Sequence, residues 1–307
     1  MNICVLVTGG SGFIGTWVLR ELLNCGAQTV VIDNQKMPER LERVLGDRSR
    51  DVAWSDASLF NCDDLQEVIE RHHVTHLIHL AALLTPACQQ DPWLGCQVNV
   101  LGSTAVFEAA RRSGRIHAVS YASSYAVYGP ESGGESAALN RPPSFYGAFK
   151  QAVDLIAEQY WRHFGIASVA IRPHVVYGPE REFGLTAGPS LACRAAARGE
   201  TYSIGYTGRV GYDYVADVAR AFVQAALKCP PGATVADLPG EQATTAEFLR
   251  VIETLKPESV GTISISGPEI PANIPPHPKY ITELFRDWQT TSLLDGVRQT
   301  IEFYREK

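Results

Sequence analysis

Ile3-Cys4-Val5-Leu6-Val7-Thr8-Gly9-Gly10-Ser11-Gly12-Phe13-Ile14-Gly15 decides the fold. Residues 3–7 are apolar and rich in β-branched side chains, the pattern of a strand buried on both faces. Gly9, Gly12 and Gly15 then allow three things: a tight turn, close backbone approach to a pyrophosphate, and close packing of helix on strand. Residues 16–23 continue as an amphipathic helix. Its N-terminus would face phosphates with free N–H groups and the positive end of the helix dipole. A glycine triplet alone is a weak signal. Strand, glycine turn and helix in succession make it a dinucleotide site, with Phe13 and Ile14 in the first helical turn.

Working outward, residues 28–32 read as a second strand that ends at Asp33. A carboxylate there accepts both hydroxyls of an adenosine ribose and repels a 2′-phosphate, which favours NAD over NADP. Lys36 and Arg40 lie near enough in sequence to leave NADP open. Residues 52–54 are a third strand, with Asp56 at its exit to meet the adenine amino group and Ala57 beside it. A helix is expected over 61–72, opened by Asn61 and an acidic first turn. Residues 75–82 are the fourth strand and its exit. Ala81 and Ala82, after Leu80, are small enough to let the backbone come close to a ligand. His72, His73, His76 and His79 fall here, but their spacing crosses from helix to strand, so they read as surface and core histidines rather than metal ligands.

A long helix is expected from 92 to 112. Asn99 in its middle either bonds across to the sheet or is incidental. The fifth strand, 116–121, delivers Ser123 and Ser124 at its carboxyl end, where ligands bind in open α/β sheets. A helix over 145–163 and a sixth strand over 167–171 follow, then Arg172-Pro173-His174. The alternation implies a doubly wound parallel sheet. The remainder is less regular, with helices over 186–198, 215–228, 245–255 and 291–305. It also carries a glycine- and tyrosine-bearing stretch over 202–214 and a proline-rich loop over 267–278. The expected class is α/β, a Rossmann-type doubly wound parallel sheet with a smaller, mixed C-terminal substrate region. Residues 1–172 would form the NAD-binding core and 173–307 the substrate-binding region, with 215–240 returning to the sheet.

The chemistry is sought in Ser124, Tyr146 and Lys150. Tyr146 and Lys150 are four residues apart, one turn along one helix face. A phenol titrates near pH 10, and a neighbouring ammonium favours the phenolate. Bringing it to about 7 takes about 4 kcal/mol, at about 1.4 kcal/mol per unit. Lys150 would supply part of that, and a bound nicotinamide cation more. Ser124 would hold the reacting oxygen beside Tyr146. A Tyr-x-x-x-Lys pair on its own is usually an ordinary amphipathic helix, and the glycine turn is what lifts this one.

The composition excludes several classes. Hydrophobic residues are 45% and charged residues 20%, ordinary for a globular protein. The net charge of −6 comes without a basic patch, which disfavours nucleic acid or an anionic membrane as partner. The apolar opening stops at Thr8-Gly9 and reads as a strand rather than a signal peptide. No apolar run approaches membrane-spanning length. Seven cysteines without Cys-x-x-Cys spacing read as reduced core thiols of a cytosolic protein.

Together these segments resemble the extended short-chain dehydrogenases/reductases of the NAD-dependent epimerase/dehydratase type, over residues 1 to about 255. The carriers are Thr8 through Gly15, Asp33, Asp56, His79-Leu80-Ala81-Ala82, Asn99-Val100-Leu101-Gly102, Ser124, Tyr146, Lys150 and Arg172-Pro173-His174-Val175-Val176-Tyr177-Gly178-Pro179. The resemblance implies tightly held NAD(P), read here as NAD from Asp33, and a Ser-Tyr-Lys set in which Tyr146 moves the proton. It adds Asn99 and Pro173 to the cofactor contacts, with Lys150 also on the nicotinamide ribose. Ser124, not Ser123, matches by its offset from Val127-Tyr128-Gly129. Thr85, Ser124, Tyr125, His174 and Arg209 are the expected substrate contacts. The resemblance further implies a homodimer through the helices at 92–112 and 145–163.

Three departures bear on the substrate, one of them a C-terminal region that is short for a nucleotide-sugar pocket. Nucleotide-sugar members often carry Asn in the segment after the sixth strand, where Pro173-His174 stands here. They also carry Arg-Asp-Phe/Tyr before the helix at Val215, where Val210-Gly211-Tyr212 stands here with Arg209 displaced by one. These departures tilt the reading toward a dehydrogenase of a free sugar, polyol or sugar acid. A UDP-sugar 4-epimerase is the alternative, and a non-catalytic NAD-binding sensor or scaffold the alternative of another class.

Overall fold

The structure is a computed structural model that describes residues 3–129, 141–270 and 279–305. The loop expected over 267–278 therefore lies outside the described residues from 271 on. Six strands come first: β1 (Cys4–Thr8), β2 (Gln28–Ile32), β3 (Val52–Trp54), β4 (His76–His79), β5 (Ala118–Ala122) and β6 (Ser168–Arg172). Then follow β7 (Val175–Tyr177), β8 (Tyr202–Ile204), β9 (Arg209–Tyr214), β10 (Ala233–Asp237), β11 (Glu241–Thr244) and β12 (Ile263–Ile265).

The main sheet has the order β10-β6-β5-β4-β1-β2-β3, and all its pairings are parallel. The chain winds outward from β1 through β2 to β3, then restarts at β4 and winds the other way. The carboxyl ends of β1 and β4 are thus the switch point, where an open α/β sheet leaves a crevice. The Gly9–Gly15 turn leaves β1 there, and Leu80-Ala81-Ala82 leaves β4.

Strand side chains alternate between the two faces. Val5 and Val7 of β1 join the core under the Phe13–Asn24 and Val215–Leu227 helices, while Cys4 and Leu6 join the opposite core. The same split sends Val169 and Ile171 one way and Ala170 the other. Each such Val, Leu or Ile contributes about 1.5–3 kcal/mol when fully buried. Two-sided burial explains why these strands read as continuous apolar runs.

The C-terminal part supplies β10 to the main sheet and builds two small sheets, β11-β9-β7 and β12-β8. Among the described residues no helix is long and apolar enough to cross a membrane.

One helix differs from expectation. The stretch from 92 is not continuous: Pro92–Cys96 is α-helical, Gln97–Leu101 is a π-turn, and Gly102–Ser113 is α-helical again. Asn99 causes it. Its buried side chain accepts from the Leu83 backbone N–H at 2.9 Å and donates to the Leu83 carbonyl at 3.0 Å. One extra residue per turn is what a π-bulge adds, and such bulges commonly sit at functional places. A further short helix, Thr85–Gln90, has no counterpart in the sequence reading. The cysteines are all free, yet only Cys4, Cys88 and Cys193 are buried. Cys25 is exposed, so the reading of all seven as core thiols is corrected.

Candidate active site

The glycine turn is a cradle that a side chain would fill. Gly9 has φ 73, and a Cβ there would lie 2.7 Å from the Ala81 nitrogen. A Cβ on Gly15 would lie 2.2 Å from the Gly9 carbonyl. Ser11, at 2% exposure, has a hydroxyl with no hydrogen-bond partner, so the turn holds a buried donor in want of an acceptor. These features fit a phosphate-bearing dinucleotide. A cavity of about 490 Å³ opens beside them, lined by Gly9, Gly12, Asp33, Ala57, Leu80, Ala81 and Ala82 from the expected set. Arg40, weighed earlier for NADP, also lines it, as do Ser11, Met37, Phe60, Leu83, Val98 and Phe183, which were not foreseen as contacts.

Asp33 is held by the backbone N–H groups of Ser11 (2.9 Å) and Gln35 (3.2 Å), which fixes its carboxylate at the cavity edge. Arg40, the cation that would read a 2′-phosphate, is committed elsewhere. It donates to the Ser11 carbonyl at 3.0 Å and pairs with Glu182 at 2.8 Å.

Other expected cofactor contacts sit differently. Phe13, Ile14 and Gly15 form the first turn of the Phe13–Asn24 helix. Asp56 is exposed and does not line the cavity, whereas Ala57, Ser58, Leu59 and Phe60 do. Asn99 spends its amide on Leu83 and Cys88, so it shapes the cavity wall from behind. Pro173 is buried, and its carbonyl accepts from the Tyr125 N–H at 3.2 Å.

The structure brings Ser124, Tyr146 and Lys150 together. Ser124 leaves β5 and caps the Tyr125–Val127 turn. Tyr146 stands in the first turn of the Phe145–Phe164 helix, which Ser144 caps. Gly147 makes the meeting possible, since a Cβ there would lie 2.1 Å from the Ala126 carbonyl. The Ser124 side chain hydrogen-bonds Tyr146. Ser123 instead donates to Asp154 at 2.9 Å. Lys150 is buried, lies 5.6 Å from the Tyr146 ring centroid, and donates to the Ala122 carbonyl at 2.7 Å.

The electrostatics correct one expectation. Burial pushes the Tyr146 phenol up to about 12, while the Ser124 hydrogen bond and the Arg181 charge pull it down. A lowered phenol was expected from Lys150. Burial penalises that ammonium as well, bringing it down to about 8 against the upward pull of Asp154. Asp154 is the next residue on the same helix face, four beyond Lys150. It also anchors a buried network: Arg172 pairs with it at 2.6 Å and donates at 2.6 Å to Tyr128, whose hydroxyl donates to Asp237 at 2.9 Å.

The expected substrate contacts divide. Thr85 opens the Thr85–Gln90 helix beside Leu84. Tyr125 sends its hydroxyl to the Leu238 carbonyl at 3.1 Å and stacks on His174, centroids 4.8 Å apart. His174 Nδ1 accepts from the Gly211 N–H at 2.8 Å, and burial lowers the ring to about 4, so it is neutral. Nδ1 as acceptor leaves the proton on Nε2. The His174 backbone N–H donates to Asp213 at 2.7 Å, and burial raises that carboxyl to about 7. Arg209 is exposed and pairs with Glu247 at 3.1 Å. Among the described residues no group of three or more His, Cys, Asp or Glu could hold a metal ion.

Residues 5–235 match the family described as NAD dependent epimerase/dehydratase. The chain is 28% identical to a UDP-glucose 4-epimerase of Mycolicibacterium smegmatis, over 98% of each chain. It is 29% identical to UDP-glucuronate 4-epimerase 4 of Arabidopsis thaliana, over 58% of this chain and 43% of that one. Among solved structures, the UDP-glucose 4-epimerase of Thermus thermophilus in complex with NAD superposes with a TM-score of 0.80. That match covers 99% of each chain at 24% identity.

Proposed function

The chain belongs to the NAD-dependent epimerase/dehydratase family, and from that premise we propose that it is a UDP-sugar 4-epimerase working with NAD. The observation that carries the chemistry is Ser124 hydrogen-bonded to Tyr146 with the Lys150 ammonium 5.6 Å from the ring. The observation that favours a nucleotide sugar over a free one is the similarity to a UDP-glucose 4-epimerase along 98% of both chains. This reverses the preference that the departures at Pro173-His174 and Val210-Gly211-Tyr212 suggested.

Bound in the cleft beside Gly9, Gly12 and Asp33, NAD would supply a hydride acceptor and donor. Tyr146 takes the proton of the sugar hydroxyl and later returns it, a general acid–base role worth about 10²–10⁴-fold in rate. Ser124 orients the same oxygen by hydrogen bonding. Lys150 sets a positive charge beneath the phenol and is itself fixed by the Ala122 carbonyl. Ketone release would make the enzyme a dehydrogenase. Retention, rotation and return to the opposite face make it an epimerase.

The test is proton NMR of UDP-glucose incubated with enzyme and catalytic NAD. Accumulation of UDP-galactose without net NADH supports the proposal. A second reading is kept by Arg209, whose pairing with Glu247 withdraws it from a diphosphate. Stoichiometric NADH release with free sugars or aldonates and none with UDP-sugars would establish that reading instead.

We also propose a homodimer. Trp93, Leu94, Leu101, Phe145 and Leu155 are exposed apolar residues on the 92–113 and 145–164 segments, which pair across a two-fold axis in the resembling family. Light scattering at micromolar protein should give twice the 33.5 kDa chain mass; a monomer mass would refute it.

A further inference from the structure

Between β7 and the Gly188–Arg198 helix the chain runs as a strap, residues 178–187, pinned along its length. The Trp17 indole N–H donates to the Pro179 carbonyl at 3.2 Å. Arg43 makes a two-pronged contact with Glu180 at 2.9 and 2.7 Å, and Arg40 pairs with Glu182 at 2.8 Å. Glu180 is a non-glycine residue with φ 73, and its N–H donates to the Tyr304 hydroxyl at 2.7 Å. Such strained residues persist only where the surroundings over-determine them, and they cluster at ligand clamps.

Arg181 turns inward, its guanidinium 5.8 Å from the Phe13 ring centroid at the end of the glycine turn. Its charge acts on Tyr146 and on Tyr206. The two carboxylates beside it in sequence are both turned to other cations, Glu180 to Arg40 and Arg43, Glu182 to Arg40 and Arg194. Arg181 forms no ion pair among the described residues. It donates to the Val176 carbonyl and to the Thr186 hydroxyl, the latter at 2.7 Å. A guanidinium has five N–H donors in a planar fork. Donors remain on a cation that burial penalises and whose charge reaches the proposed acid–base residue.

We propose that Arg181 anchors an oxyanion of the substrate beside Tyr146, either a carboxylate on the sugar ring or a phosphoryl group of a nucleoside diphosphate. The planar fork suits two oxygens of either group. The strap then sets specificity by delivering one fixed cation to the reacting end of the site. This deepens the nucleotide-sugar reading and rests on it for the choice of probes.

The experiment compares the full-length NAD-bound protein with Arg181→Gln and Arg181→Lys. Dissociation constants for UDP-glucose, UDP-glucuronate and free glucuronate are measured by calorimetry, together with NAD affinity and melting temperature. Arg181→Gln should weaken the anchored ligand about 30-fold or more, the cost of unpairing a desolvated charge. Arg181→Lys, which keeps the charge but not the fork, should fall between and shows the effect is not misfolding. Loss confined to the two glucuronates assigns the carboxylate; equal loss for both UDP-sugars assigns the phosphoryl group.

The proposal is overturned if NAD alone weakens, if every ligand binds the variants as it binds the wild type, or if the wild type binds none of the three. Unchanged UDP-sugar epimerisation by Arg181→Gln would refute the anchor and leave the proposed function standing. Arg181-dependent binding of glucuronate without UDP-sugar turnover would do the reverse.

Discussion

The glycine turn after β1 and the strap after β7 would recognise anions by opposite means. The turn is local: one contiguous stretch, little side chain, and backbone N–H groups presented because nothing larger than hydrogen fits at Gly9 and Gly15. The strap is assembled. Its direction depends on Arg40 and Arg43 from one helix, Trp17 from another and Tyr304 from the end of the chain. Recognition by backbone fixes what is bound in general, a pyrophosphate. Recognition by side chains carried on distant elements can vary from one chain to the next, which is how substrates diverge on a constant fold.

Substitutions can break or sharpen that contrast. The largest effect should come where the two regions meet. Tyr146→Phe keeps the ring and should keep NAD affinity, but turnover should fall by about 10²–10⁴-fold. Retention of more than about a tenth of wild-type turnover would give the proton role to another group.

On the turn, Gly15→Ala places a Cβ within 2.2 Å of the Gly9 carbonyl. NAD binding should weaken about tenfold or more as the cradle shifts, read by fluorescence titration. Wild-type affinity would show that the turn does not touch the cofactor. Asp33→Asn should do less. NAD should bind nearly as before, while NADP gains by up to about tenfold once the repulsion is gone. An unchanged ratio would locate cofactor choice in Arg40 or Lys36.

The smallest effect belongs to Asp213, on the substrate side. Its folded carboxyl lies at about 7 against an ordinary 3.8. The native state therefore holds this proton more tightly than the unfolded chain does. The stability it contributes is fully present below about pH 4 and is lost as pH rises through about 7. Asp213→Asn keeps an acceptor for the His174 N–H but does not titrate. Its melting temperature should exceed the wild type's by more at pH 8 than at pH 5; a difference that does not change with pH would remove Asp213 as the cause.

The contrast also accounts for what could be read in advance. The sheet was legible because two-sided burial writes continuous apolar runs, and the turn because close approach admits only glycine. Ser124, Tyr146 and Lys150 were legible through fixed offsets on one strand end and one helix. Asp154 was within reach too, being one more turn along the Tyr-Lys face. Arg181 was not: nothing in Gly178-Pro179-Glu180-Arg181 says which side chain turns inward, since that depends on Arg43 and Tyr304. The pairing of Arg209 was not legible for the same reason, because its partner Glu247 sits on a helix 38 residues on. The phenol of Tyr146 was judged by its charged neighbour, whereas burial, which sequence spacing does not reveal, sets the direction of its shift.

One feature of the sheet reaches back to how such a chain is made. β10 pairs with β6 along the full length of both strands, from Ala233 with Ser168 to Asp237 with Arg172. Until a ribosome has released residue 237, β6 has no partner on that flank, and the Tyr128 hydroxyl has no Asp237 to receive it. A nascent or truncated chain ending at 172 would carry a bare edge of Ser168-Val169-Ala170-Ile171-Arg172, the kind of template on which chains pair with one another. The cofactor half is therefore not a detachable module, and its maturation waits on a strand from the other half.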